Sequence, residues 1–240
     1  EVYYAAVLSN DKFLQQAFID KLDFHSYVAK QMFNLSCDVN EVKKYYANER
    51  QYAKAITFGI MYQAGPAKIA ETVNKDAAEG EEITKAQSSQ FINKYFREAK
   101  SLKRFIDDSN KQIENHAFIY SHFGRKRRLP ESKSPNKGVA SHAVRSGVNF
   151  LVQSVASDIN LLGVIDLMDW IQDNRYEEDM LTFTVVHDSI VSEVREDLID
   201  TYIENAKRCI QKDRGLSIPN CPIKVDFEIG PSWGDLSDYK

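Results

Sequence analysis

A four-residue repeat of large side chains constrains the fold of this chain more than any other feature of its sequence. Segment 50–65 reads RQYAKAITFGIMYQAG, and its repeat consists of Arg50, Lys54, Phe58 and Tyr62. An α-helix advances about 100° per residue, so this interval places the four side chains along one slowly drifting stripe. Ala53, Ile56 and Ile60 fall on another side. We therefore predict a helix that buries one face and displays two cations and two aromatic rings on another.

The chemistry of this stripe has two explanations. Two cations suit a triphosphate, and an aromatic ring suits a base or a sugar. The same pattern occurs in amphipathic helices whose aromatic rings complete a core and whose Lys and Arg are solvated. The repeat alone favours the amphipathic helix because that pattern is common. The choice therefore depends on the rest of the chain.

The composition is typical of globular proteins. The 240 residues can form one large domain or two smaller ones, and 43% are hydrophobic and 28% charged. We expect no transmembrane helix, because no apolar run approaches the length of a membrane span. The N-terminus lacks an initiator Met and the features of a secretory leader, so we expect a fragment of a longer protein. Cys37, Cys209 and Cys221 form no CxxC pair, which argues against a disulfide framework or a zinc site and fits a reducing cytoplasm.

Hydrophobic periodicity predicts a helical first half and a mixed second half. Helices are expected at 11–35, around the repeat as far as Gly65-Pro66, and at 67–117 with a break around Glu79-Gly80. A strand at 118–122, a turn at Gly124 within the basic run GRKRR, and a polar loop at 131–138 follow. The remaining elements are a helix at 141–170, a hairpin at 181–194, a helix at 198–212 and a strand at 223–227. This order indicates an α+β fold.

Two elements of the second half carry polar side chains that suit a binding site. On the long helix, Arg145, Asn149 and Gln153 form an exposed stripe of hydrogen-bonding groups, away from the apolar side made by Val148, Leu151, Val155, Ile159 and Leu162. Such a stripe can contact the DNA minor groove, although the stripe alone favours a plain polar face. In the hairpin, His187-Asp188-Ser189 forms the turn. Asp188 is either a turn residue or a carboxylate ligand for Mg²⁺, held on rigid strands.

Taken in order, these features resemble DNA polymerase family A, with the best match to polymerases of tailed bacteriophages. The ordered motifs are R-x3-K-x3-F-x3-Y, R-x3-N-x3-Q, the VHD hairpin and Gly230-Pro231-Ser232-Trp233. Shorter matches are Glu1-Val2-Tyr3 with Ser9 and Asp11, then Asp23-Phe24-His25, then Gly124-Arg125. The resemblance implies helical fingers inserted in a palm with a small antiparallel sheet. Residues 1–10 would end the first palm motif, 11–140 would form the fingers and 141–240 the palm.

The resemblance also implies a role for each residue of the stripe. Arg50 and Lys54 would hold the triphosphate, and Lys54 would also donate a proton to the leaving pyrophosphate. His25 would add a phosphate contact. Phe58 would lie against the sugar, and Tyr62 would stack near the base or the template as the fingers close.

Further roles concern DNA, metal and partners. Contacts with primer–template DNA would come from Arg125, Arg145, Asn149, Gln153 and His187. Asp188 would be one of two carboxylates that bridge two Mg²⁺ ions in nucleotidyl transfer from a dNTP to the primer. The implied enzyme is a monomer in the cytoplasm of a bacterial host, with a processivity factor as an optional partner and no membrane association.

Three positions depart from the family pattern. Glu1 corresponds to the glutamate that excludes a ribose 2′-hydroxyl, and the family's other metal aspartate lies five residues before it. We therefore expect the isolated chain to polymerise poorly. Ser189 stands where many relatives carry a glutamate, and Gln63 replaces the usual glycine after the motif tyrosine.

Other functions fit parts of the pattern. One is an RNA-making enzyme of the same superfamily, although Phe58 and Glu1 favour deoxynucleotides. Another is a non-catalytic remnant that grips duplex DNA, which would need neither Lys54 nor Asp188. A helical scaffold without a nucleotide site is the third.

Overall fold

The computed structural model describes residues 1–75, 77 and 82–239. Within them the fold class is α+β, as predicted, with ten α-helices and three two-stranded antiparallel sheets. Two compact units divide the chain into Glu1–Val152 and Gln153–Lys240, and the boundary falls inside the longest helix. The assignment of 11–140 to fingers and 141–240 to palm stays a prediction.

The first unit is mainly helical. Its elements are α1 (Val2–Leu8), α2 (Lys12–Ile19), α3 (Phe24–Phe33), α4 (Val39–Tyr45), α5 (Ala47–Met61), α6 (Pro66–Asn74), α7 (Lys85–Glu98), α8 (Lys100–His116), β1 (Phe118–Tyr120), β2 (Lys126–Arg128), a 3-10 turn (Pro130–Lys133) and the first part of α9 (Lys137–Asp173). The predicted break at Glu79-Gly80 lies outside the described residues.

The single helix predicted at 11–35 is wrong, because the chain turns between α2 and α3. Lys21 adopts a left-handed backbone with φ of 53°, which ends the helical path. Asp23 then begins α3, since its carboxylate accepts a hydrogen bond from the Ser26 amide at 2.8 Å.

Asp11 joins the N-terminal ends of two helices. One carboxylate oxygen accepts a hydrogen bond from the Leu14 amide of α2 at 3.2 Å, and the other accepts from Ser101 and Leu102 of α8 at 2.9 and 3.0 Å. The side chain is buried. Its hydrogen bonds satisfy amides that the first turn of a helix leaves without partners. Asp11 therefore fixes α2 against α8.

Helix α5 buries the face that its sequence predicts. Ala53, Ile56 and Ile60 are all buried. On the same helix Gly59 permits a close approach to α6, because a Cβ atom there would lie 2.5 Å from Ile69 Cγ1. The helix ends at Met61, before the Gly65-Pro66 stop predicted from the sequence, and Pro66 instead occupies the first turn of α6.

Helix α9 is longer than the predicted 141–170. Val148, Leu151, Val155 and Ile159 are buried as predicted, while Leu162 is half-buried. The expectation that no segment reaches membrane-span length needs correction, since α9 is long and apolar enough by length and composition. Half of its most apolar window is buried within the protein.

The second unit contains the remainder of α9, β3 (Met180–Val186), β4 (Ser189–Val194), a 3-10 turn (Glu196–Leu198), α10 (Ile199–Ile210), β5 (Glu228–Ser232) and β6 (Asp235–Asp238). Its core contains Leu167, Ile171, Met180, Ala206 and Cys209. The hairpin predicted at 181–194 and the helix predicted at 198–212 are confirmed within a few residues. The strand predicted at 223–227 is wrong. The strand lies later in the sequence, at β5, because β6 pairs with residues from Glu228 onward.

Candidate functional site

A cluster in the first unit connects the stripe of α5 with residues from the start of the chain and from α3. The Tyr62 hydroxyl donates a hydrogen bond to Glu1 Oε2 at 2.7 Å. The rings of Tyr62 and Phe58 stack with centroids 6.4 Å apart and planes 18° apart. Phe58 also contacts His25, with ring centroids separated by 5.8 Å. The structure thus brings together Glu1, His25, Phe58 and Tyr62, which the sequence predicted as parts of one site.

Arg50 enters the same cluster through Asp23, a carboxylate for which the sequence analysis predicted no role. Its Nε and Nη2 atoms donate to the two oxygens of Asp23 at 2.8 and 2.9 Å. This bidentate pair fixes the plane of the guanidinium group. It also holds the pKa of Asp23 well below its usual range. The only sequence signal for this contact is the acidic first position of the Asp23-Phe24-His25 element.

Lys54 is the uncompensated cation of the stripe. Its side chain is exposed, and its ammonium group forms no hydrogen bond or ion pair within the described part of the chain. Its charge contributes to lowering the pKa of His25, so the two side chains share one electrostatic environment. An ammonium group in this state is available to an anion from solution.

His25 is held as a neutral imidazole. Its pKa is lowered to about 4, mainly by burial and also by the nearby Arg50 and Lys54 cations, while Asp23 opposes the shift. Its Nδ1 atom is buried without a hydrogen-bond partner among the described residues. A buried polar atom without a hydrogen-bond partner lowers the stability of the folded protein unless a ligand or a rearrangement supplies that partner.

Acidification should therefore destabilise the chain through His25 before its carboxylates are protonated. The unfolded imidazole binds a proton near its ordinary pKa of 6.5, whereas the folded one does so only near 4. Stability from this group is present above pH 6.5 and is lost as pH falls to about 4. After allowance for partial exposure, we expect a loss of about 1–2 kcal/mol in the free energy of unfolding.

Urea titrations at several pH values test this dependence. His25→Gln should remove most of the slope between pH 6.5 and 4. His142→Gln, at an exposed position of α9, serves as the matched control and should keep it. Equal slopes in the two variants would contradict the assignment.

The stripe predicted on α9 is less exposed than expected. Arg145 and Asn149 are half-buried, and only Gln153 is exposed. On another side of the same helix, Gly147 permits a close approach to α8, because a Cβ atom there would lie 2.5 Å from the Ile113 side chain. Arg145 donates to Ser141 Oγ at 2.6 Å, and Asn149 Oδ1 is buried without a hydrogen-bond partner in the described ranges. Gln153 belongs to the second unit and the other two to the first.

The β3–β4 hairpin places Asp188 at its tip. Val186 pairs with Ser189, so His187 and Asp188 form a two-residue turn. His187 has a φ of 56°, a left-handed conformation that such turns usually assign to glycine or asparagine. Strained residues of this kind concentrate at functional sites. The Asp188 side chain is exposed.

Two further positions complete the predicted set. Arg125 lies beside Gly124 in the β1–β2 turn, and its amide donates to Ser121 Oγ at 3.1 Å. Gln63 has a φ of 52°, which explains why glycine suits this position in the family pattern. Its side chain accepts a hydrogen bond from Asn110 Nδ2 at 3.0 Å, a contact that anchors the end of α5 to α8.

The chain is similar in sequence to known DNA polymerases. The sequence model of DNA polymerase family A matches residues 1–235. The DNA polymerase of Escherichia phage T5 is 50% identical over 95% of this chain and 28% of its own length. DNA polymerase I of Geobacillus stearothermophilus is 29% identical over 98% of this chain and 25% of its own length.

A solved structure has the same fold. It is described as the POL domain of Pol1 from M. smegmatis in complex with DNA primer-template and dNTP. The TM-score is 0.79 at 23% identity, covering 93% of this chain and 36% of the other. This chain spans about a quarter of the length of the curated relatives that it matches. The match over nearly all of its sequence shows that the chain belongs to DNA polymerase family A.

Proposed function

We propose that this chain provides the fingers and palm of a DNA-directed DNA polymerase, which adds deoxynucleotides to a primed template. The observation that carries the proposal is the α5 stripe, assembled with Glu1 and His25 into one cluster in a family A chain. The cluster offers cations for phosphates, a ring for the sugar and a ring for the base, in that order along one helix.

The cations of the cluster suit the triphosphate. Asp23 occupies Nε and Nη2 of Arg50, so Nη1 remains to donate to a phosphate oxygen. Lys54 offers an unpaired ammonium group one helical turn further on, where it can donate a proton to the leaving pyrophosphate. Neutral His25 can donate one hydrogen bond without adding a third positive charge.

The aromatic side of the cluster suits the sugar and the base. Phe58 lies between His25 and Tyr62, where a flat ring can pack against a deoxyribose. The hydrogen bond from Tyr62 fixes the Glu1 carboxylate at the end of the stripe. A fixed carboxylate in that place would leave a ribose 2′-hydroxyl without room, which favours dNTPs over rNTPs.

Asp188 would supply one of the carboxylate ligands of a two-metal site. Mg²⁺ often takes only one or two protein carboxylates and leaves its other positions to phosphates and water. The described residues contain no group of three or more His, Cys, Asp or Glu that could hold a metal by themselves. The exposed Asp188 carboxylate fits this donor chemistry and would supply one protein ligand. Bound Mg²⁺ would activate the primer 3′-oxygen and stabilise charge on the leaving group.

Five polar residues would contact primer–template DNA: Arg125, Arg145, Asn149, Gln153 and His187. The M. smegmatis relative, whose structure contains primer-template and dNTP, supports these partners. The phage and bacterial sources of the relatives support action inside a bacterial cell. The proposed enzyme acts there as a monomer, with a processivity factor as an optional partner.

A non-catalytic remnant that only grips duplex DNA is the alternative. Unpaired Lys54 and exposed Asp188 favour the catalyst, because a protein that merely binds a duplex needs neither a proton donor nor a metal-binding carboxylate. The catalytic proposal and the alternative predict different effects of replacing these two residues.

Primer extension with dNTPs and rNTPs tests the proposal. The assay uses a primer-extending form, defined as this chain joined where necessary to the preceding polymerase segment of the phage T5 relative. We expect strong preference for dNTPs. Glu1→Ala should reduce that preference roughly 10- to 100-fold, because the carboxylate no longer fills the space of a 2′-hydroxyl.

Tyr62→Phe is the matched variant, since it keeps the ring and removes only the hydroxyl that holds Glu1. Its loss of sugar discrimination should be smaller than that of Glu1→Ala. Absence of dNTP incorporation in the primer-extending form would contradict the polymerase proposal. Unchanged discrimination between dNTPs and rNTPs in Glu1→Ala would contradict the role assigned to Glu1.

A further inference from the structure

The β1–β2 hairpin presents aromatic rings and cations on one face. The strand register pairs Phe118 with Arg128 and Tyr120 with Lys126. Residues that lie opposite each other in an antiparallel pair share a face of the sheet. These four side chains, here called the hairpin platform, therefore lie side by side. The Tyr120 ring is 48% exposed, which is enough for another planar group to stack on it.

The opposite face anchors the hairpin to the first unit. Ile119 is buried, and the Arg127 guanidinium lies 5.5 Å from the Phe150 ring centroid. Arg127 Nη2 also donates to Ser146 Oγ at 2.9 Å. Since Phe150 and Ser146 belong to α9, this anchor gives the platform a rigid support.

The cations of the platform are held over its rings. Lys126 Nζ lies 3.8 Å from the Phe118 centroid and 5.5 Å from the Tyr120 centroid. Phe118 and Tyr120 meet edge to face at 5.5 Å. Lys126 and Arg128 form no ion pair with any carboxylate in the ranges that the structure describes. Their charges are therefore available to phosphates.

The surrounding sequence reinforces this charge. Residues 125–128 are four consecutive cations, and no Asp or Glu occurs between 115 and 130. The whole chain, in contrast, has a net charge of −4. A local positive surface attracts a polyanion such as DNA, whereas the acidic remainder of the chain repels it. Salt weakens that repulsion by screening the charges.

We propose that the hairpin platform binds single-stranded DNA, with an unpaired base stacked on Tyr120 and the sugar–phosphate backbone along Lys126 and Arg128. Exposed aromatic rings on a small sheet bind unpaired bases by stacking, whereas the bases of a duplex are already stacked on each other. We assign the strand to the unpaired template that leads into the site. This assignment rests on the proposed polymerase function.

Fluorescence anisotropy on the 240-residue chain tests the proposal. The probes are a short single strand, a blunt duplex, and the same duplex with a 5′ or a 3′ overhang. We expect the 5′ overhang to increase affinity over the blunt duplex. Tyr120→Ala should reduce that gain by about fivefold or more, which corresponds to loss of one stacked base. Lys126→Gln should lower the salt dependence on the single strand by about 0.7 in log–log slope.

The control is Tyr45→Ala on α4. Tyr45 is also exposed and also has a lysine over its ring, with Lys44 Nζ at 4.8 Å from the centroid, but it lies outside the platform. It should leave the overhang gain unchanged. Tyr120→Leu keeps an apolar side chain without a planar ring and should behave like Tyr120→Ala if the latter folds poorly.

The outcomes separate this proposal from the polymerase function. No gain from the 5′ overhang, or Tyr120 variants that match Tyr45→Ala, would overturn the platform. An equal gain from a 3′ overhang would overturn the assignment to the template strand. A gain that persists while the primer-extending form fails to extend primers would support the platform and count against the polymerase proposal.

Discussion

Replacing Asp188 with asparagine should lower the rate of nucleotide addition about 1,000-fold or more while leaving DNA affinity nearly unchanged. Asparagine keeps the shape of the side chain but lacks the negative charge that a metal bridge requires, and such metal contacts contribute several kcal/mol to catalysis. The residue is exposed at the β3–β4 turn, so the substitution leaves the core intact. Single-turnover primer extension and anisotropy with primer–template DNA measure the two quantities in the primer-extending form.

Glu193→Gln supplies the matched control for this substitution. It makes the same change of charge at an exposed position of β4 on the same hairpin, away from the turn. We expect nearly normal rates for it. Small and similar effects of Asp188→Asn and Glu193→Gln would favour the duplex-binding remnant over the catalyst.

Helical periodicity predicted the elements that dominate the fold. The buried face of α5 follows from the positions of Ala53, Ile56 and Ile60, and the core of α9 follows in the same way from Val148 and Val155. These patterns succeed because a helix repeats every 3.6 residues, so local spacing determines which side chains share a face. The β3–β4 hairpin was equally visible, since its strands and its turn are adjacent in sequence.

Predictions failed where the structure depends on partners distant in sequence. No local pattern shows that residues 223–227 lack a strand partner, because pairing with Asp235–Asp238 begins only at Glu228. The basic run was visible, but its pairing as β2 with Phe118–Tyr120 was not predicted. The half-buried state of Asn149 likewise differs from the exposed stripe that helical spacing predicts.

In the candidate site, too, local spacing predicted some features, while others depended on residues distant in sequence. Spacing along α5 predicted that Arg50, Lys54, Phe58 and Tyr62 share a stripe. It could not show that Asp23, 27 residues earlier, would pair with Arg50 and leave Lys54 as the unpaired cation. That difference matters for function, because the two cations of the stripe are not equivalent before a nucleotide binds.

Replacing Lys54 with alanine should reduce the maximal rate of nucleotide addition by about 100- to 10,000-fold. The substitution removes both the free positive charge beside the triphosphate and the proposed proton donor to pyrophosphate. Lys54 is exposed and makes no hydrogen bond or ion pair with any described residue, so little stability should be lost. Lys68→Ala on α6 is the control, because Lys68 is also exposed and its ion pair with Glu71 of the same helix is a surface contact.

Lys54→Arg separates the two roles of the side chain. Arginine keeps the charge but does not release a proton in proteins, so KM for dNTP should stay within a few-fold while the maximal rate remains about 100-fold low. A dNTP analogue with a more acidic pyrophosphate leaving group needs less help from a proton donor. It should therefore narrow the rate difference between the original chain and either Lys54 variant. A rate ratio that stays constant across leaving groups would show that Lys54 acts through its charge alone, and full activity of Lys54→Arg would lead to the same conclusion.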